Sequence, residues 1–104
     1  MTTERLMELR EKLDKICGEI LEAKGNAYIC NSDRLSNFKA VSNMLGICPL
    51  AVWEVYFLKH LFAVNNYIRD GKEGPEGIES NIADLRNYID LLYAIVNERE
   101  ELPF

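Results

Sequence analysis

The sequence predicts an all-α fold: a four-helix antiparallel bundle, one domain spanning residues 1–104, that self-associates into a dimer or larger assembly. Three observations lead there. Apolar residues recur every three or four positions along most of the chain, the period of a helix with one buried face. Gly, Pro and Asn/Ser clusters cut that pattern into four segments, and none shows the alternation of a strand. The connections are short, and helices joined by short connections pack antiparallel.

The first helix covers about 3–24, with Leu6, Leu9, Leu13, Ile16, Ile20 and Ala23 on one face. Thr2 and Thr3 are candidate caps and Gly25 a candidate stop. The following "GNAYICNSD" has no period and reads as a loop. A shorter helix spans about 33–45, capped by Asn31 or Ser32, with Leu35, Phe38, Val41 and Leu45 inward and Gly46 closing it. Pro49 suits the first turn of a third helix, about 49–70, which Gly71 ends. "KEGPEG" (72–77) is the clearest linker. The fourth helix covers about 75–98, with Ile78, Ile82, Leu85, Ile89, Leu92 and Val96 as core positions, and "EELPF" forms a frayed tail.

The third helix is apolar almost all round. From Leu50 to Val64 only Glu54, Lys59 and His60 carry a charge or an imidazole. Such a helix needs cover on more than one side. In a bundle this small that points to a central helix or to one that also packs on a second subunit; the expectation is self-association, with Trp53, Tyr56, Phe57 and Phe62 as anchors.

Composition narrows the function. The net charge of −5 argues against a non-specific grip on duplex nucleic acid, which needs clustered Lys and Arg. It leaves room for a small anion held in a local pocket. The N-terminus lacks the apolar core of a signal peptide, and no run reaches the length of a membrane span. Cys17, Cys30 and Cys48 are odd in number and widely spaced, which suits free thiols in a reducing cytoplasm rather than zinc or disulfides.

Two polar stripes interrupt the apolar pattern. In the stretch "FLKHLF" (57–62), Lys59 and the single histidine, His60, share a helical stripe with Tyr56, Ala63 and Asn66. Two basic donors and an amide suit a phosphate, with Lys as a point charge and His as a tunable donor. The plainer alternative is a lysine reaching for solvent and a histidine bonded to a carbonyl. On the fourth helix, Asp84, Asn87, Tyr88 and Leu91 share a stripe at the border of the apolar face. Glu19 and Glu22 sit one turn apart on the first helix, a spacing that suits a hard cation such as Mg²⁺ and equally suits a solvated face.

Four separated pieces carry a resemblance: "KGNAY" (24–28), "DRLSNF" (33–38), Trp53-x2-Tyr56-x2-Lys59-His60, and "DLRNYIDLL" (84–92). Their order resembles a family of small phage and prophage proteins with KGxDY, LxNF, KH and DxxNYxxLL motifs. That family is related to nucleotide-modification-associated domains and more distantly to the all-α, MazG-like nucleoside triphosphate pyrophosphohydrolases. The match spans roughly 20–96. The resemblance implies a bacterial-host cytoplasm, a nucleotide ligand and Mg²⁺ between acidic groups on two helices. Carried over residue by residue, it implies Glu19, Glu22 and Asp84 as metal ligands. Lys59 and His60 become catalytic groups that neutralise phosphate charge. Lys24, Tyr28, Asn37, Asn87 and Tyr88 complete the nucleotide site, a tyrosine stacking on the base.

The sequence departs from that pattern where the acids should be. Ala27 stands at the family's Asp, and the dense acidic cluster of MazG enzymes is reduced to Glu19 and Glu22 in "GEILE". Asn87 stands where many relatives carry an acid. Three readings remain open: a metal-dependent pyrophosphohydrolase; a non-catalytic nucleotide binder that sequesters a signal of bacterial anti-phage defence; and a small helical interaction protein without a ligand.

Overall fold

The computed structural model describes residues 1–28 and 33–99, with backbone alone at 25–28 and 99. The Asn31 and Ser32 caps, the Cys30 thiol, the Tyr28 side chain and the tail from residue 100 therefore lie outside the described residues. Four helices follow in order: α1 Thr3–Tyr28, α2 Ser36–Leu45, α3 Pro49–Asp70 and α4 Ile78–Arg99. The described residues contain no strand. α4 packs along both α3 and α1, and α2 packs on α3.

Local chemistry sets most helix ends. The Thr2 hydroxyl accepts the Arg5 N–H at 3.0 Å and caps α1. α1 does not stop at Gly25; it stays helical to Tyr28, so "KGNAY" is the last turn of a helix rather than a loop. Glycine in a helix interior costs only about 1 kcal/mol relative to alanine and does not force an end. α2 begins three residues later than the sequence pattern suggests. Asp33 forms a turn, its carboxylate accepting the Leu35 N–H at 2.9 Å and its carbonyl the Ser36 N–H at 3.1 Å. Gly46 and Gly71 close α2 and α3 at φ of 67° and 66°, the left-handed conformation that favours glycine. Between α2 and α3 the chain turns through 111°. α4 starts at Ile78 rather than near Pro75, because the Glu73 carboxylate accepts the Ile78 N–H at 3.0 Å.

The core is built from Leu35 and Phe38 of the α2 region, Val52 and Trp53 of α3, and Ile95 of α4, with Phe57, Tyr88 and Leu92 packed around them. Trp53 stacks on Phe57 at 4.8 Å and donates its indole N–H to the Tyr88 carbonyl at 2.6 Å. α1 joins through small groups. Cys17 lies against the wholly buried Ala83, with its thiol 3.7 Å from the Ala83 carbonyl, and burial pushes that thiol's pKa up.

The apolar faces differ in part from those expected. On α4, Leu92 packs on the core as expected and Ile78 and Leu85 are half-buried, but Ile82, Ile89 and Val96 are exposed at 41%, 49% and 47%; the buried residues are Asn81, Ala83, Asp84, Asn87 and Ile95. On α3, Val52 and Trp53 are buried, but Val55, Tyr56, Leu58 and Phe62 are exposed in the single chain. Leu6 on α1 and Leu45 on α2 are exposed as well. No single helix among the described residues is long and apolar enough to cross a membrane.

Ile95, 1% exposed, and Met44, 83% exposed, calibrate this packing. Ile95→Ala is expected to lower stability by about 2–5 kcal/mol in urea denaturation. Met44→Ala is expected to change it by less than about 0.5 kcal/mol.

Candidate functional site, a basic and aromatic cleft

Where α1, α2, α3 and α4 approach one another they leave an open cleft of about 480 Å³. The volume lies within the range of small-molecule sites, roughly 300–1,000 Å³. Its walls follow from the periodicity. On α3, Tyr56, Lys59 and His60 fall on one stripe and line the cleft; Ala63 and Asn66 of that stripe do not. On α4, all four residues of the second stripe line it: Asp84, Asn87, Tyr88 and Leu91. Lys24 and Leu21 close it from α1. Arg34, Asn37, Phe38 and Val41 close it from α2 and the turn before it.

Asp84 is the electrostatic centre. Its side chain is 3% exposed, and an uncompensated carboxylate there would carry a large desolvation penalty. Lys24 removes that penalty: its ammonium donates to Asp84 Oδ1 at 2.8 Å. The other oxygen, Oδ2, lies 3.5 Å from His60 Nδ1. One buried carboxylate on α4 thereby holds a lysine of α1 and orients a histidine of α3. The His60 ring also lies 4.8 Å from that of Tyr88, fixing its second face. Burial holds the His60 imidazole below its ordinary pKa of 6.5. The Asp84 carboxylate opposes the shift, Lys24 and Lys59 reinforce it, and Glu76 opposes it more weakly.

The remaining polar side chains divide into structural and available groups. Asn87 is structural: its amide donates to the Cys17 carbonyl at 3.0 Å and ties α4 to α1. Arg34 gives one N–H to the Leu21 carbonyl at 2.7 Å, which orients the guanidinium without neutralising it. Lys59 is exposed at the rim and has no ion-pair partner among the described residues. Asn37 is also exposed at the rim. Phe38 meets the rings of Tyr56 and Tyr88 edge-on, at 6.1 and 6.3 Å, so the three make an aromatic wall. Lys39, paired with Asp33 at 2.6 Å and Glu98 at 2.5 Å, ties the start of α2 to the end of α4 and holds that wall in place. These two bonds push the lysine's pKa up, and the lysine's bond pulls that of Asp33 down.

Of the residues singled out in the sequence, the cleft brings together Lys24, Asn37, Lys59, His60, Asp84, Asn87 and Tyr88. It does not include Glu19 or Glu22, which are both exposed on α1. Among the described residues no three His, Cys, Asp or Glu side chains gather as a metal site. The donor set also fits Mg²⁺ poorly. Asp84 is the one carboxylate among the described lining residues, and Lys24 already occupies it. Arg34 was not foreseen as a cleft residue; it lies in the turn before α2.

No family model, curated protein or solved structure matches the chain.

Because the buried imidazole resists protonation, the folded protein binds fewer protons at His60 than the unfolded chain does. The resulting stability is complete above about pH 6.5 and is lost as pH falls through the lowered pKa. Urea unfolding at about pH 7.5 and about pH 5.5 is expected to show a larger loss on acidification for the parent protein than for His60→Gln.

Proposed function

We propose that this protein binds a nucleotide in the cleft and holds it without turning it over. The observation that carries the reading is the company kept in one cleft. Three cations, Lys24, Arg34 and Lys59, line it with a single carboxylate, in a chain whose net charge is −5. Basic groups concentrated against the overall charge suit a phosphate-bearing ligand. The wall of Phe38, Tyr56 and Tyr88 suits a planar base beside that phosphate. Exposed Asn37 at the rim is placed for hydrogen bonds to a base edge or sugar.

Binding without turnover is favoured over pyrophosphohydrolysis because a Mg²⁺ ion that assists attack on a triphosphate is held by one or two free carboxylates beside the phosphates and waters. Here Glu19 and Glu22 stand apart from the cleft and Asp84 is committed to Lys24. In the phage setting that the sequence resemblance implies, a protein that holds a nucleotide intact acts by sequestration. Self-association belongs to the same reading. Val55 and Phe62 on α3, with Ile82, Ile89, Tyr93 and Val96 on α4, leave apolar surface that a second copy would cover.

The test is calorimetric titration with a panel of ribo- and deoxyribonucleotides in chelator, followed by denaturation and analysis of the released ligand. Saturable binding and recovery of the nucleotide unchanged are expected. Lys59→Ala is expected to weaken binding by about tenfold, the loss of one charge-assisted hydrogen bond, while leaving the melting temperature of the free protein unaltered. Release of pyrophosphate on adding Mg²⁺ or Mn²⁺ would restore the enzyme reading. Absence of binding to every nucleotide would leave the interaction-protein reading.

A further inference from the structure

The charges in the cleft are not equally available, and their count selects among phosphate ligands; this inference rests on the nucleotide reading above. Lys24 is spent. Its ammonium lies 2.8 Å from Asp84 Oδ1, and the pair is close to neutral as seen by a ligand. Arg34 keeps its full charge, because its recorded partner, the Leu21 carbonyl, is neutral. Lys59 keeps its charge as well, being exposed and without an ion-pair partner among the described residues. Among its described residues the cleft therefore presents two uncompensated cations.

A phosphomonoester carries about −1.5 to −2 at neutral pH and three acceptor oxygens. Its charge matches that pair, and its oxygens suit a guanidinium on one side and an ammonium on the other. A nucleoside triphosphate brings roughly twice the charge and normally travels with Mg²⁺, which asks for oxygen ligands. The described cleft residues supply one carboxylate, already paired.

We infer that the cleft selects a nucleoside monophosphate over the corresponding triphosphate, with Arg34 and Lys59 as the two charges that bind the phosphate and the Lys24–Asp84 pair as the device that limits their number.

The experiment titrates the protein, in chelator and at low salt, with the four common ribonucleoside 5′-monophosphates and their deoxy counterparts, then with the matching triphosphates. The best monophosphate is expected to bind at least about tenfold more tightly than its triphosphate, one uncompensated charge pair being worth about that ratio. Equal or tighter triphosphate binding would overturn the inference while leaving the nucleotide reading intact. Failure of every nucleotide would overturn both. Asp84→Asn supplies a second readout, because it releases the Lys24 charge into the cleft. Triphosphate affinity is expected to rise relative to monophosphate affinity in that variant. An unchanged ratio in a folded Asp84→Asn protein would show that the pair does not set the selectivity.

Discussion

The Lys24–Asp84 ion pair is the interaction on which the cleft depends. α4 carries an unusually polar buried face, with Asn81, Asp84 and Asn87 all under a tenth exposed. Two of these polar groups have partners on α1: Asp84 takes the Lys24 ammonium and Asn87 reaches the Cys17 carbonyl. Polar groups buried without partners would cost several kcal/mol. These bonds therefore fix which face of α4 turns toward α1 and at what height the two helices meet. That register in turn brings Asp84 beside His60 on α3 and sets Tyr88 against Phe38 on the α2 side. The α1, α3 and α4 walls of the cleft meet at that one buried carboxylate, while Lys39 ties the start of α2 to α4.

This dependence also explains how binding and stability are divided among the residues. Asp84, Asn87 and Lys24 satisfy one another or the backbone, and their charges and dipoles are consumed in holding helices together. Arg34, Lys59 and Asn37 line the cleft while remaining exposed, and Arg34 spends one N–H on the Leu21 carbonyl. Trp53, Val52 and Ile95 pack with Phe38 and Tyr88 of the aromatic wall as apolar backing, and the Trp53 indole donates to the Tyr88 carbonyl. Under the nucleotide proposal, a substitution at the rim acts on ligand binding, and one at the α1–α4 seam acts on the fold first and on binding through it.

Much of this arrangement was legible in the sequence, and its limits have physical causes. The three-and-four spacing of Tyr56, Lys59 and His60, and of Asp84, Asn87, Tyr88 and Leu91, placed each set on one helical stripe, and both stripes line the cleft. Periodicity reports faces faithfully but does not say which face is buried. On α4 the apolar set containing Ile82, Ile89 and Val96 looked like the core, yet α1 and α3 pack on Ala83 and its polar neighbours. Small and hydrogen-bonded residues let helices approach closely, a signal that hydrophobic patterning does not carry. Glu19 and Glu22 have the right mutual spacing for a cation, but spacing along one helix cannot show that neither lines the cleft and that Lys24 already holds Asp84. Arg34 was expected within the second helix, off its apolar face, whereas it lies in the turn before α2, which brings it to the cleft. The end of α1 was misjudged because a glycine permits a helix to stop without requiring it.

The central claim is that Lys24 and Asp84 act as one unit at the α1–α4 seam. A double-mutant cycle tests it most directly, with urea unfolding of the parent, Lys24→Met, Asp84→Asn and the double variant. Lys24→Met alone is expected to cost about 1–3 kcal/mol, discounted for the lysine's partial exposure, because it strands a buried carboxylate. Adding Asp84→Asn to it is expected to recover more than half of that loss, since the amide no longer needs a counter-charge. Strictly additive losses, or a Lys24→Met protein as stable as the parent, would show that the pair does not hold the seam.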